Sequence, residues 1–98
     1  MTLDDIVQDI HVLEQDLQTY ERKYGVLSET FYESYQRGEE PADDAWVMDW
    51  SMWAGVYEVW LRRHAQYQAA IRILQAQMPA LSNLIGKTAR RESIPVPA

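Results

Sequence analysis

The sequence predicts an all-α fold: an antiparallel helical hairpin of two long helices with a short helix between them. Two long segments repeat apolar residues at alternating steps of three and four, which is the spacing of one helix face. Gly25, Gly38 and Pro79 stand where the helical patterns end. No segment alternates apolar and polar residues over the length that a strand requires.

The first helix is predicted over residues 3–24. Its apolar positions are Leu3, Ile6, Ile10, Leu13, Leu17, Tyr20 and Tyr24. Thr2 and Asp5 have the spacing of a capping-box-like start. Arg22 and Lys23 complement the negative end of the helix dipole, and the glycine that follows Tyr24 suits a left-handed helix end.

A short second helix is predicted over residues 29–37. Ser28 is its expected N-cap, because a serine side chain can accept a hydrogen bond from the first turn. Leu27 and Tyr32 are spaced for a hydrophobic staple around that cap. Gly38 then provides the stop.

A long third helix is predicted over residues 41–78. Pro41 suits a first helical position, and the acidic residues after it suit the positive end of the dipole. Its apolar seam is Trp46, Trp50, Trp53, Tyr57, Trp60, His64, Tyr67, Ile71, Leu74 and Met78. A fourth helix is expected over residues 79–85, the alternative being one continuous helix with a kink at Pro79.

The chain of 98 residues suits one helical domain, predicted over residues 1–86. Residues 87–98 contain two prolines and no apolar period, so a disordered tail is predicted there. The first residues are acidic where a secretory signal is basic, and Asp49 and Glu58 interrupt the most apolar stretch. A cytoplasmic protein without membrane contact is therefore expected.

Several classes of function are disfavoured by the residues present. The absence of cysteine excludes thiolate chemistry, and neither His11 nor His64 has a second histidine at ligand spacing. No nucleophile motif or glycine-rich phosphate loop occurs. Basic residues that could bind nucleic acid are confined to the predicted tail, in a chain of net charge −6. We expect a non-enzymatic protein with no cofactor, no metal and no direct contact with nucleic acid.

The third helix carries more apolar surface than its predicted neighbours can cover. A second apolar stripe runs at steps of four, four and three: Met48, Met52, Val56 and Val59. Burial is worth about 1.5 to 3 kcal/mol for each such side chain, so a covering protein is expected. It is either a second copy, giving a homodimeric helical bundle through the long helices, or a different protein.

Charge indicates the chemistry of such a partner. Residues 1–45 contain twelve acidic and three basic side chains, and an acidic surface attracts basic partners. Besides the apolar stripe, the candidate partner-binding residues are the charged positions that flank the helical seams: Asp9, Glu14, Asp16, Glu21 and Arg63.

A run of cap, turn and core residues resembles a known family. These residues are Tyr20-Glu21-Arg22-Lys23-Tyr24-Gly25, Val26-Leu27-Ser28-Glu29-Thr30-Phe31, Gly38-Glu39-Glu40, Asp43-Asp44, and Trp50, Trp53 and Tyr57. Together they resemble the small helical antitoxins of bacterial toxin–antitoxin modules. The resemblance implies a regulator that masks a small, often RNA-cleaving toxin. The alternative is a self-assembling structural or scaffold protein with no toxin partner.

Overall fold

In the computed structural model, which describes residues 1–97, four α-helices form and no strand is present among those residues. The helices are α1 (Leu3–Tyr24), α2 (Ser28–Gln36), α3 (Val47–Gln77) and α4 (Leu81–Thr88), and a short 3-10 helix covers Asp44–Trp46. The predicted all-α class is confirmed.

Local capping residues set the two ends of α1, which has the predicted bounds. The backbone N–H of Thr2 donates to the Asp5 carboxylate at 3.0 Å, and the Asp5 N–H donates back to Thr2 Oγ1 at 3.3 Å. Hydrogen bonding to the Asp5 carboxylate from the Thr2 backbone N–H, and then from the Thr2 side chain, lowers the pKa of Asp5. At the other end Gly25 has φ +78°, a left-handed conformation that glycine adopts without steric cost.

The second helix starts one residue earlier than predicted, and Ser28 is not its N-cap. That position belongs to Leu27, whose backbone is extended and whose side chain has no capping group. The Ser28 hydroxyl instead donates a hydrogen bond to Glu21 of α1. The helix ends at Gln36, and Gly38 follows with φ +89°.

The third helix begins at Val47, not at residue 41 as predicted. Asp43 has an extended backbone, and its side chain accepts a hydrogen bond from the Ala45 N–H at 2.9 Å. This local bond caps the 3-10 turn, so the proline and acidic residues before it stay outside the helix.

The chain leaves the α conformation just before Pro79, which has no N–H to donate and disfavours helix at the residue before it. The helix α3 ends at Gln77, and α4 starts at Leu81, with Ala80 as its extended N-cap. The start predicted at residue 79 is therefore wrong by two residues. The end predicted at residue 85 is also early, since α4 continues to Thr88.

The chain divides into two compact units. The central unit is Val12–Leu61, and the terminal unit combines Met1–His11 with the described residues from Arg62 onward. The long helices α1 and α3 each contribute residues to both units.

Stacked aromatic rings form the core of the central unit. Phe31 of α2 lies flat against Trp53 of α3, with ring centroids 3.9 Å apart and planes inclined by 3°. Tyr20 and Tyr24 of α1 stack on the same indole, at 5.7 and 5.6 Å. Leu17 completes the contact, and Trp53 is 1% exposed. Three helices thus share one indole as their common packing surface.

Aliphatic residues form the core of the terminal unit, which includes part of the segment predicted to be disordered. Leu3, Leu74, Leu84 and Ile94 are buried together there. The Leu3 N–H donates to the Ile94 carbonyl at 2.8 Å, and the Val96 N–H donates to the Met1 carbonyl at 3.3 Å. Residues 94–96 are therefore tied to the start of the chain, whereas Ala98 of the predicted tail lies outside the described residues.

Candidate functional site

The start of α3 presents apolar side chains on its outer side. Met48 is 72% exposed, Met52 is 54% exposed, and Val47 next to them is also exposed. Single exposed apolar residues are ordinary, but three within six positions form a patch. We call Val47, Met48 and Met52 the methionine surface. Unbranched, polarizable methionine side chains adapt their shape to a partner, which suits such a surface to protein binding.

The other two residues of the predicted apolar stripe lie deeper. Val56 and Val59 are half-buried, and Val56 packs against the aromatic core of the central unit. The packing partners of α3 explain the difference. Leu17 and Phe31 both contact the side of α3 that carries Trp53, so Met48 and Met52 receive no cover from them.

An acidic segment comes directly before the methionine surface. Its four carboxylates belong to exposed residues: Glu39, Glu40, Asp43 and Asp44. The central unit as a whole contains eleven acidic and three basic side chains, for a net charge of −8. A surface of this sign attracts cations and basic proteins over a distance of about 10 Å at ordinary salt.

Two of the three basic side chains are paired with carboxylates: Arg37 with Glu33, and Lys23 with Asp49. Lys23 Nζ and the Tyr24 hydroxyl both donate to Asp49 Oδ2, each at 2.6 Å. The hydrogen bond from Lys23, followed by that from Tyr24, lowers the pKa of Asp49, and the bond to Asp49 raises the pKa of Lys23. This cluster fastens the end of α1 to the start of α3.

The predicted acidic residues of α1 have different surroundings. Glu14 and Glu21 line a cleft of about 240 Å³ together with Glu29, Tyr57 and Trp60. Burial raises the pKa of Tyr57, and the charges of Glu29 and Glu21 add to this shift. Asp16 is exposed on α1 in the same unit.

Glu21 is engaged in a structural role that the sequence did not indicate. Its carboxylate accepts hydrogen bonds from the Ser28 N–H at 2.9 Å and the Ser28 hydroxyl at 2.7 Å. The indole N–H of Trp53 donates to the same hydroxyl oxygen at 2.9 Å. No sequence signal connects these positions, because Ser28 and Trp53 are 25 residues apart.

The remaining two predicted site residues lie in the other unit. Arg63 Nε is 3.2 Å from Asp9 Oδ2 in the terminal unit, and Arg63 also donates to Gln66 at 2.9 Å. The predicted set is therefore divided. The central unit holds Met48, Met52, Val56, Val59, Glu14, Asp16 and Glu21, and the terminal unit holds Asp9 and Arg63.

Two kinds of feature are absent among residues 1–97. None of the helices there combines the length and the apolar character needed to span a membrane. No group of three or more histidine, aspartate or glutamate side chains in this part of the chain is placed to hold a metal ion.

Comparison with known proteins adds no relative. No protein-family model matches the chain, and searches of curated proteins and of solved structures likewise find no match.

Proposed function

We propose that this protein is a non-catalytic protein-binding module that binds a basic partner through the methionine surface and the acidic segment of the central unit. In its specific form, the proposal is an antitoxin-like regulator that masks a small basic toxin in the cytoplasm. The observation that carries it is the exposure of Met48 and Met52 directly after an exposed run of carboxylates.

The two parts of this surface contribute different terms to binding. Burying a methionine side chain is worth about 1.5 to 3 kcal/mol, which supplies affinity. The net charge of −8 raises the rate of encounter with a positively charged partner and disfavours acidic ones. A basic amphipathic helix matches both parts, since it presents an apolar ridge between rows of lysine or arginine.

The antiparallel hairpin of α1 and α3 belongs to this proposal as its scaffold. It is supported by contacts inside each unit: Leu17 clusters with Trp53 in one, and Leu3 clusters with Leu74 in the other. Such a scaffold holds the methionine surface on one rigid helix, which limits the entropy lost on binding.

A growth assay tests the specific form of the proposal. The chain is co-expressed with the product of the reading frame that adjoins its gene. The proposal predicts that this product arrests growth when expressed alone and that the chain relieves the arrest. The double variant M48E/M52E should fail to relieve the arrest, because it places two buried charges at the interface. Val12→Glu, a change at an exposed apolar residue of α1, is the matched control. Equal relief by all three proteins would contradict the assigned surface.

A binding assay tests the chemistry without the natural partner. A fluorescent helical peptide of leucine and lysine should bind the chain, and the same peptide with glutamate in place of lysine should not. Because surface electrostatics are screened by ions, binding should weaken as salt is added. Binding of both peptides alike would show that charge has no part in recognition.

Self-assembly without a toxin partner is the second candidate function. It is favoured by a different observation, the exposed Leu81 and Ile85 of α4 in the terminal unit. The peptide assay separates the two, since a scaffold protein has no reason to prefer the basic peptide.

A further inference from the structure

The terminal unit contains an apolar groove that the sequence did not indicate. It has a volume of about 570 Å³ and lies among the start of α1, the last turns of α3, and α4. Its floor is apolar and consists of Leu3, Val7, Tyr67, Ile71, Leu84 and Ile94. A space of this size accommodates several aliphatic side chains.

Two apolar side chains stand at the edge of the same groove. Leu81 is 66% exposed and Ile85 is 50% exposed, one helical turn apart on α4, whereas Leu84 between them is buried. The groove and the two projecting side chains are therefore parts of one surface. A surface that has both a groove and side chains able to fill it can pair with a copy of itself.

The distribution of charge favours the terminal unit over the central unit as the place where two copies meet. Two central units repel each other, each having a net charge of −8, whereas the terminal unit has four acidic and six basic side chains and a net charge of +2. Like charges oppose association, so contact between two central units is opposed far more strongly than contact between two terminal units.

Both signs of charge also occur at the groove itself. Asp4 and Arg91 line it, and the closest distance between Arg91 Nε and Asp4 Oδ1 within one chain is 4.0 Å. The Arg91 side chain is 69% exposed, so it is accessible to a carboxylate of another molecule. In a two-fold contact in which residue 4 of each copy meets residue 91 of the other, both pairs join opposite charges.

We propose that two copies of this chain associate about a two-fold axis through the terminal unit. Leu81 and Ile85 of each copy enter the groove of the other, and Asp4 of each copy pairs with Arg91 of the other. This contact differs from the dimer predicted from the sequence, which used the long helices. It uses no residue of the methionine surface and does not depend on the basic partner.

Analytical ultracentrifugation of the purified chain tests the contact. We expect a monomer–dimer equilibrium, with a dimer dissociation constant that rises at least about thirtyfold in Ile85→Glu, because this change introduces a charge into the apolar contact. Val12→Glu is the matched control at an exposed apolar residue of the central unit and should leave the constant unchanged. A chain that is monomeric at every concentration, or an Ile85→Glu dimer as stable as the original, would overturn the proposal.

A charge-reversal pair gives a second test that loss of folding cannot imitate. Asp4→Arg and Arg91→Asp each place like charges across the axis, so each alone should weaken the dimer roughly fivefold. An equimolar mixture of the two variants should restore it as a heterodimer, because both cross-axis pairs then join opposite charges. The absence of preferential heterodimer formation in the mixture would contradict the assigned pairing.

Discussion

The indole Nε1 of Trp53 lies 2.9 Å from Ser28 Oγ and donates a hydrogen bond to it inside the core of the central unit. The Ser28 hydroxyl in turn donates a hydrogen bond to the Glu21 carboxylate at 2.7 Å. Three side chains from three helices therefore form one hydrogen-bonded chain. Trp53 can therefore be buried with both its ring surface packed and its N–H satisfied.

Replacing Ser28 by alanine should lower the free energy of unfolding by about 1 to 3 kcal/mol, because the buried N–H of Trp53 loses its acceptor. Urea unfolding followed by tryptophan fluorescence measures this. Ser51→Ala, at an exposed position of α3, is the control and should change stability by less than about 0.5 kcal/mol. Equal stability of both variants would show that the hydrogen-bonded chain contributes nothing to folding.

Asp49 should make stability sensitive to acid. Its pKa is lowered in the folded protein by hydrogen bonds from Lys23 and Tyr24, so the folded state favours the carboxylate. The stabilisation is present above the ordinary pKa of 3.8 and is lost as the pH falls through the lower folded value. Wild type and Asp49→Asn should therefore differ in stability at neutral pH and converge in acid.

Urea unfolding of both proteins at a series of pH values checks this prediction. Asp16→Asn removes one negative charge from an exposed position of α1 and controls for the change in net charge. If the difference in free energy of unfolding between wild type and Asp49→Asn stays constant from neutral pH into acid, the pKa of Asp49 is not lowered by folding, which would contradict the prediction.

Two glycines of the central unit should respond oppositely to alanine. Gly25 has φ +78°, which a β-carbon disfavours, so Gly25→Ala should destabilise the protein by about 1 to 2 kcal/mol. Gly55 lies inside α3, and a β-carbon there meets nothing within 4 Å. Gly55→Ala should stabilise the helix by about 0.5 to 1 kcal/mol. Thermal unfolding measures both effects as a fall in Tm for Gly25→Ala and a rise in Tm for Gly55→Ala. A change of Tm in the same direction for both variants would contradict one of the two backbone assignments.

Ile94 should contribute to the stability of the terminal unit. It is buried with Leu3, Leu74 and Leu84, so Ile94→Ala should cost about 2 kcal/mol or more through the cavity that it leaves. Ile73→Ala, at an exposed position of the same unit, is the control and should cost much less. Hydrogen exchange at the Leu3 amide, which donates to the Ile94 carbonyl, reports the local effect. If the Leu3 amide exchanges at the same rate in Ile94→Ala as in wild type, the segment around Ile94 is not held against the start of α1.

The amino-acid sequence by itself determined the elements whose ends depend on close neighbours. Thr2, Asp5 and Gly25 fix both ends of α1, because each acts on backbone groups within four positions of itself. The same reasoning placed Met48 and Met52 on one stripe of α3, since helical periodicity alone decides which residues share a face. Their role in binding stays a prediction.

Tertiary structure decided the features that depend on distant partners. Ser28 bonds to Trp53 instead of capping α2, and Ile94 is buried beside Leu3 although its own segment has no periodicity. The groove beside α4 is likewise formed by residues from both ends of the chain. The physical reason is common to all three: local preferences are a few tenths of a kcal/mol to about 1 kcal/mol, whereas burying a side chain with its polar groups satisfied is worth more. Which distant residues meet is settled only when the helices pack.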